Sequence, residues 1–157
     1  MIRAAVPFDA KSIAEIHNFY IRETAVTFLP DEKSQADVSA AINGPDPVIV
    51  YEEQGVVRGF ARYFPFRSGA GYRYTVEHTV LLAPDLRGRG VGRALMLALL
   101  DAARAAGKHS VIAVVSGENP DGVAFHQRIG FEVIGVMPQV GYKFGRFMDA
   151  TMLQYRL

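Results

Sequence analysis

The stretch from Thr75 to Ala106, TVEHTVLLAPDLRGRGVGRALMLALLDAARAA, constrains the fold more than any other part of the chain. Thr75 to Leu82 is apolar and β-rich. Pro84 and Asp85 end that strand, because proline has no ladder N–H and aspartate favours turns. Arg87-Gly88-Arg89-Gly90-Val91-Gly92 follows, and then Val91, Leu95, Leu99 and Ala102 recur at helical spacing, with Arg93, Asp101 and Arg104 off that stripe. Strand, glycine-rich turn and helix make an anion site: the helix start offers unpaired N–H donors and partial positive charge, and glycine admits a ligand close to the backbone. A phosphate or pyrophosphate suits it. A tight turn that needs glycine only for packing is the alternative.

The turn does not fit the common phosphate loops. Gly-x-x-x-x-Gly-Lys-Ser/Thr is absent, and in a Gly-x-Gly-x-x-Gly frame from Gly88 the third glycine is replaced by Arg93. It does fit Arg/Gln-x-x-Gly-x-Gly/Ala, filled by Arg87, Gly90 and Gly92. This resembles the pyrophosphate loop of the GCN5-related N-acetyltransferases (GNAT), which bind acetyl-CoA. The resemblance implies that Arg87, Gly88, Arg89, Gly90, Val91, Gly92 and Arg93 hold the CoA phosphates. It also implies that Val80, Leu81 and Leu82 pair their backbone with the pantetheine arm.

The remaining elements read in the same sense. Ile2 to Val6 is a short strand. Asp9 is placed to cap a helix carrying Ile13, Ile16, Phe19 and Tyr20, and Ser34 to cap a second one running to Ile42. Val48 to Glu53 and Val56 to Phe64 form a hairpin about Gln54-Gly55. Arg67 to Arg73 is a loop. The apolar run Val111 to Val115 suits a strand buried on both faces. Asn119-Pro120-Asp121 opens a helix that Gly130 ends. Phe131 to Val136 is a strand, Met137 to Arg146 an irregular glycine-containing segment, and Thr151 to Leu157 the last strand. These elements make a single α/β (α+β) domain over residues 1–157, with a mixed central sheet of six to seven strands flanked by helices. That is the GNAT layout.

Composition excludes several classes. A chain of 157 residues, half of them hydrophobic, can bury a core. A net charge of +1 gives no general attraction to nucleic acid or membrane. The absence of cysteine excludes a disulfide scaffold, a thiol nucleophile and cysteine-based metal sites. Met1 to Phe8 is too short for the apolar core of a secretion signal. A cytoplasmic protein without a metal is expected.

Acetyl transfer to an amine needs a base for the ammonium proton, a donor for the oxyanion, and stabilisation of the leaving thiolate. Glu77 is the candidate base. Strand alternation sets Glu77, Thr79 and Leu81 on one face and Val76, His78, Val80 and Leu82 on the other. A carboxylate among such neighbours is either functional or held in an ion pair. His78 reads as a hydrogen-bonded structural histidine. His126 stands four residues before Gly130-Phe131, where GNAT proteins often have a tyrosine that protonates the CoA thiolate; imidazole can do the same, and a plain core or surface histidine is the alternative. Asn119 corresponds to the family residue that hydrogen-bonds pantetheine, and it also suits an N-cap.

A closer resemblance rests on Thr75-Val76-Glu77-His78-Thr79-Val80, on Tyr20 to Phe28, and on Met137 to Arg146 with its Gly-Tyr-Lys-Phe-Gly-Arg run. These are similar to the phosphinothricin and methionine sulfoximine/sulfone acetyltransferase branch. The branch implies a small amino acid as acceptor, acetylated on its α-amine, and a homodimer. Phe28, Arg62, Tyr72, Arg73, Lys143 and Arg146 are the candidate acceptor contacts, since a carboxylate and an oxygen-rich head call for cations and aromatic walls. The same chemistry on a polyamine, an aminoglycoside or a protein N-terminus, and a CoA-binding module without turnover, are the competing readings.

Overall fold

The computed structural model describes all 157 residues. In chain order the elements are β1 (Ile2–Ala4), α1 (Ala10–Glu23), α2 (Gln35–Ile42), β2 (Val48–Glu53), β3 (Val56–Pro65), β4 (Thr75–Leu82), α3 (Val91–Ala105), β5 (Ser110–Ser116), α4 (Pro120–Ile129), β6 (Glu132–Lys143) and β7 (Arg146–Arg156). The strands form one sheet in the order β1-β2-β3-β4-β5-β7-β6. All neighbours run antiparallel except β4 and β5, which are joined through α3 and run parallel.

Local chemistry sets most boundaries. Ser34 Oγ accepts the Asp37 N–H at 3.0 Å, and Asp37 reaches back to the Ser34 N–H at 3.2 Å, a capping box that starts α2. Gln54 (φ 53°) and Gly55 (φ 78°) give the β2–β3 hairpin a turn whose twist matches its strands. Asn119 Oδ1 accepts the Gly122 N–H at 3.1 Å and so caps α4. Asp9 precedes α1 as expected but does not cap it. Its buried carboxylate instead takes the Arg3 guanidinium at 2.7 Å and the Val6 N–H at 2.8 Å, a charge-assisted arrangement that holds the chain entering α1.

Helices cover both faces of the sheet. α3 lays Leu95, Met96 and Leu99 against Tyr63, Val76, Val111 and Leu153. α1 and α2 lay Ile13, Ala14 and Val38 against Val50, Phe60 and Leu81 on the other face. Each fully buried leucine or phenylalanine contributes about 1.5–3 kcal/mol. The two cores meet at β4, which sends alternate side chains into each.

Two expectations change. Met137 to Arg146 is not irregular: β6 continues to Lys143, turns at Phe144-Gly145, and β7 begins at Arg146 rather than Thr151. Register shifts at Val133/Gly135 and Met137/Gly141 break the alternation that would have revealed the strand, and Pro138 is tolerated because β6 lies at the sheet edge. β5 is not buried along its whole length either. Val114 is exposed, on a wall of the cleft described next.

Candidate active site

β4 and β5 pair only through Thr75–Ser110, Val76–Val111 and Glu77–Ile112. Beyond Glu77 they part. β4 stays paired with β3, and β5 with β7, so the facing edges of both strands lack a strand partner from His78 and Ala113 onward. A cavity of about 730 Å³ opens at this fork, walled by residues 77–81 on one side and 113–116 on the other. Such an edge accepts an extended ligand through its backbone groups.

At the far end of β4 lies the glycine-rich turn. Gly90 has φ 78°, a left-handed conformation that favours glycine, and immediately precedes α3; no side chain caps that helix. Its first-turn N–H groups are therefore free for an anion, in contrast to the side-chain-capped starts of α2 and α4. Val91 and Gly92 are buried, while Arg87, Gly88, Arg89 and Arg93 are exposed. Arg87 pairs with Asp121, and Arg89 donates to Glu53 at 2.6 Å. The Leu82 carbonyl accepts the Tyr20 hydroxyl at 2.7 Å. The register that bonds the Ala83 N–H to the Arg58 carbonyl turns the Leu81 backbone toward Phe60 of β3, so of Val80, Leu81 and Leu82 it is Val80 whose backbone groups both face the open edge unpaired.

Glu77 stands at the crotch of the fork, half-buried, on the α1/α2 side of the sheet. Burial alone pushes its carboxyl above the ordinary glutamate range, and no charged partner offsets it. Of the two readings that alternation left open, the ion pair is absent.

His78 lies on the opposite side, buried, with Nε2 2.9 Å from Nε2 of the buried His126. His126 Nδ1 is 2.6 Å from the Gly122 carbonyl. A carbonyl only accepts, so Nδ1 carries the His126 proton; its Nε2 then accepts, and His78 Nε2 donates. Burial brings the His78 ring down to about 3 and lowers the His126 ring below the ordinary histidine value. His78 Nδ1 is buried and has no partner. The histidine expected to be hydrogen-bonded is so, but its partner is the other candidate, 48 residues away.

The acceptor candidates divide. Phe28 and Arg62 line the cavity. Lys143 is buried and donates to the Thr24 and Thr27 carbonyls at 2.8 and 2.7 Å, pinning the loop that carries Phe28. Gly141, two residues earlier on β6, faces the Phe28 ring so closely that a Cβ there would lie 2.4 Å from it. Tyr72 and Arg73 are exposed on the turn before β4, where Arg73 stacks 4.5 Å from the Tyr74 centroid; neither lines the cavity. Arg146 pairs with Glu118 at 2.6 Å. His17 and Lys33 also line the cavity and were not anticipated. His17 was detectable as a polar residue one turn beyond Ile13 on the apolar stripe of α1, whereas Lys33 lies in a loop that has no periodicity to read.

The pattern of the Acetyltransferase (GNAT) family matches residues 10–131. The chain belongs to the GNAT family. It is 42% identical over 161 aligned residues to an L-amino acid N-acyltransferase, MnaT, of Escherichia coli, covering 99% of this chain and 93% of that protein. It is 40% identical to an L-methionine sulfoximine/L-methionine sulfone acetyltransferase of Salmonella typhimurium, covering 99% and 94%. A Salmonella typhimurium acetyltransferase structure solved with its cofactor acetyl-CoA superposes with a TM-score of 0.96 at 39% identity, covering 100% of this chain and 93% of that one.

As a GNAT N-acetyltransferase the chain uses acetyl-CoA, and its residues fit that molecule. The unpaired β4 edge suits an amide-bearing arm, and the uncapped α3 start suits a pyrophosphate. Asn119, whose carbonyl oxygen caps α4, also lines the cavity.

Proposed function

We propose that this GNAT enzyme acetylates the α-amine of small L-amino acids, with L-phosphinothricin, L-methionine sulfoximine and L-methionine sulfone among its acceptors. The observation that carries the reading is Glu77, a desolvated carboxylate without a counter-ion at the fork of β4 and β5. Acetyl-CoA supplies an activated thioester. Glu77 takes the ammonium proton, directly or through a water, and its raised pKa brings it nearer to that of the amine it serves. An N–H on the free edge of β4 donates to the acetyl oxygen as negative charge develops there. Arg87, Gly88, Arg89, Gly90, Val91, Gly92 and Arg93 hold the phosphates. The two arginines exchange their surface carboxylates for phosphate oxygens at small cost, since exposed ion pairs contribute about 0–1 kcal/mol. Asn119 orients the pantetheine.

His126 serves as an acid only when the His78–His126 pair carries an extra proton. In the neutral pair its single proton points at Gly122, and burial keeps the pair neutral near pH 7. Phe28 and Arg62 contact the acceptor, and Lys143 acts by holding the Phe28 loop. The relatives named for L-amino acids and for methionine sulfoximine and sulfone support this acceptor class. The chain works as one catalytic domain, since one sheet runs through it. A homodimer is supported by the exposed apolar side chains of the edge strand β6, among them Ile134, Val136, Val140 and Tyr142. The cytoplasm, where acetyl-CoA is plentiful, is the working compartment; no helix is long and apolar enough to cross a membrane.

Mass-detected acetylation tests the reading with L-phosphinothricin, L-methionine sulfone, L-methionine sulfoximine, L-methionine, spermidine and an N-terminal peptide. Selective product from the tetrahedral-headed amino acids is expected. Product from spermidine or peptide alone refutes the acceptor class.

A further inference from the structure

The cavity that Glu77 lines is also lined by three nitrogen-bearing side chains that proton transfer does not use: Arg62 of β3, His17 of α1 and Lys33 of the α1–α2 loop. All three also line a smaller adjoining cavity of about 70 Å³ under α2. Arg62 Nε is buried and has no hydrogen-bond partner. The carboxylates nearby do not answer it. Asp37, in the smaller cavity, is committed to the capping box with Ser34, and Asp46 acts on Arg62 only at a distance, outside ion-pair range. Two half-buried cations thus line one cleft with no ion pair to either, and the cost of burying Arg62 is relieved by a bound anion.

The cluster is held in place by neighbouring groups. Asn18 clamps the Lys33 backbone twice, its Nδ2 donating to the Lys33 carbonyl at 2.9 Å and its Oδ1 accepting the Lys33 N–H at 2.7 Å. The Arg62 guanidinium lies 5.4 Å from the Phe64 centroid, and the His17 ring packs 5.8 Å from Phe60. Burial first, then Lys33 and Arg62, bring His17 down to about 4, so the free site keeps a neutral imidazole able to donate one N–H.

Register sets the distance to the base. Arg62 is opposite Thr79, and Phe64 is opposite Glu77, so Arg62 and Glu77 project from the same face about 7 Å apart along the strands. The guanidinium packs on the ring of Phe64, the residue whose register partner is Glu77.

We propose that Arg62, Lys33 and His17 seat the carboxylate of the acceptor, so that the enzyme selects free α-amino acids over amino-acid amides and simple amines. The proposal rests on the acceptor class given above. In an α-amino acid the carboxylate and the amine hang from one carbon, so a carboxylate held in the Arg62 fork leaves the amine facing Glu77. The same cations repel polyamines, which makes the seat selective by exclusion as well as by attraction.

The test compares L-methionine sulfone, its carboxamide and the corresponding decarboxylated amine as acceptors for wild type, Arg62→Met, Arg62→Lys and Lys33→Met. Thermal protection by acetyl-CoA serves as the fold check. For wild type, the acid has a KM at least about tenfold below that of the amide. Arg62→Met raises the acid KM at least about tenfold, with kcat nearly unchanged and the amide KM unmoved; Arg62→Lys recovers part of the loss. Lys33→Met, at a half-exposed loop position, moves the acid KM in the same direction and keeps the test valid if Arg62→Met fails to fold. Equal use of acid and amide by wild type, or equal KM increases for both in the variants, overturns the seat while leaving the acceptor class standing. No product from any of the three overturns both.

Discussion

Gly141→Ala tests how the acceptor wall is built. The added Cβ would lie 2.4, 2.5 and 2.7 Å from three atoms of the Phe28 ring. Ordinary carbon contacts sit at about 3.5–4.0 Å, so the ring must retreat by roughly 1 Å. Gly141 is not among the positive-φ glycines, so the effect is purely steric. The retreat is resisted, because Lys143 fixes the loop through the Thr24 and Thr27 carbonyls. The ring moves toward the cavity it lines. Overpacking of this kind costs about 1–3 kcal/mol, and a similar distortion felt by the acceptor raises its KM about tenfold. Urea unfolding gives the first quantity; CoA-thiol release with L-methionine sulfone gives the second, with acetyl-CoA affinity as the unaffected control. Phe28→Leu in the same chain removes the clash, so the double variant is more stable than the sum of the singles by at least about 1 kcal/mol. Unchanged stability and KM in Gly141→Ala, or additive losses in the double variant, would refute the contact as the reason for glycine here.

Three further variants test the site. Glu77→Gln lowers kcat by about 10²–10⁴ while acetyl-CoA binding holds; equal losses in both would point to a structural role. The folded pKa of Glu77 is raised, so ionisation destabilises the fold as pH rises through it. Glu77→Gln therefore melts higher than wild type at pH 7, and the gain shrinks as pH falls below the carboxylate range. His17, His78 and His126 are all depressed by burial, so wild type loses stability as pH falls through the ordinary histidine value near 6.5. In His78→Phe that loss is shallower in acid-unfolding curves, and an unchanged slope would count against the neutral pair. Lys143→Met leaves two carbonyls without their donor and costs about 2–4 kcal/mol in urea, with the Phe28 loop opening first to proteolysis.

The part of this architecture legible in sequence is the part governed by local rules. Proline, glycine and a helical stripe announced the β4–turn–α3 unit, and Ser34 and Asn119 announced their helices. Alternation placed Glu77 and His78 on opposite faces, as the structure has them. Lys143 was expected to touch the acceptor, yet its charge is spent on two carbonyls more than 100 residues away in sequence. Pairings of that kind, like His78 with His126, depend on which elements the sheet order brings together, and no spacing rule encodes them. The second half of the edge strand β6, Met137 to Lys143, escaped notice because its register shifts conceal the two-residue period.

The narrow junction of β4 and β5 has a mechanical consequence. Three residue pairs join the four-stranded half of the sheet, β1 to β4, to the three-stranded half, β5 to β7. With three pairs, the same number that join β1 to β2, the seam is one of the two shortest ladders in the sheet, and the cleft prolongs it. A substrate laid along the cleft and bonded to both edges acts as a missing strand, adding a tie between two halves of the sheet that α3 and a shared apolar core already hold together. At a ligand concentration 100 times Kd such a tie adds about 2.7 kcal/mol to the folded state. Each turnover therefore stiffens the molecule as acetyl-CoA arrives and loosens it as CoA departs, and hydrogen exchange at residues 78–82 and 113–116 is where that cycle is felt.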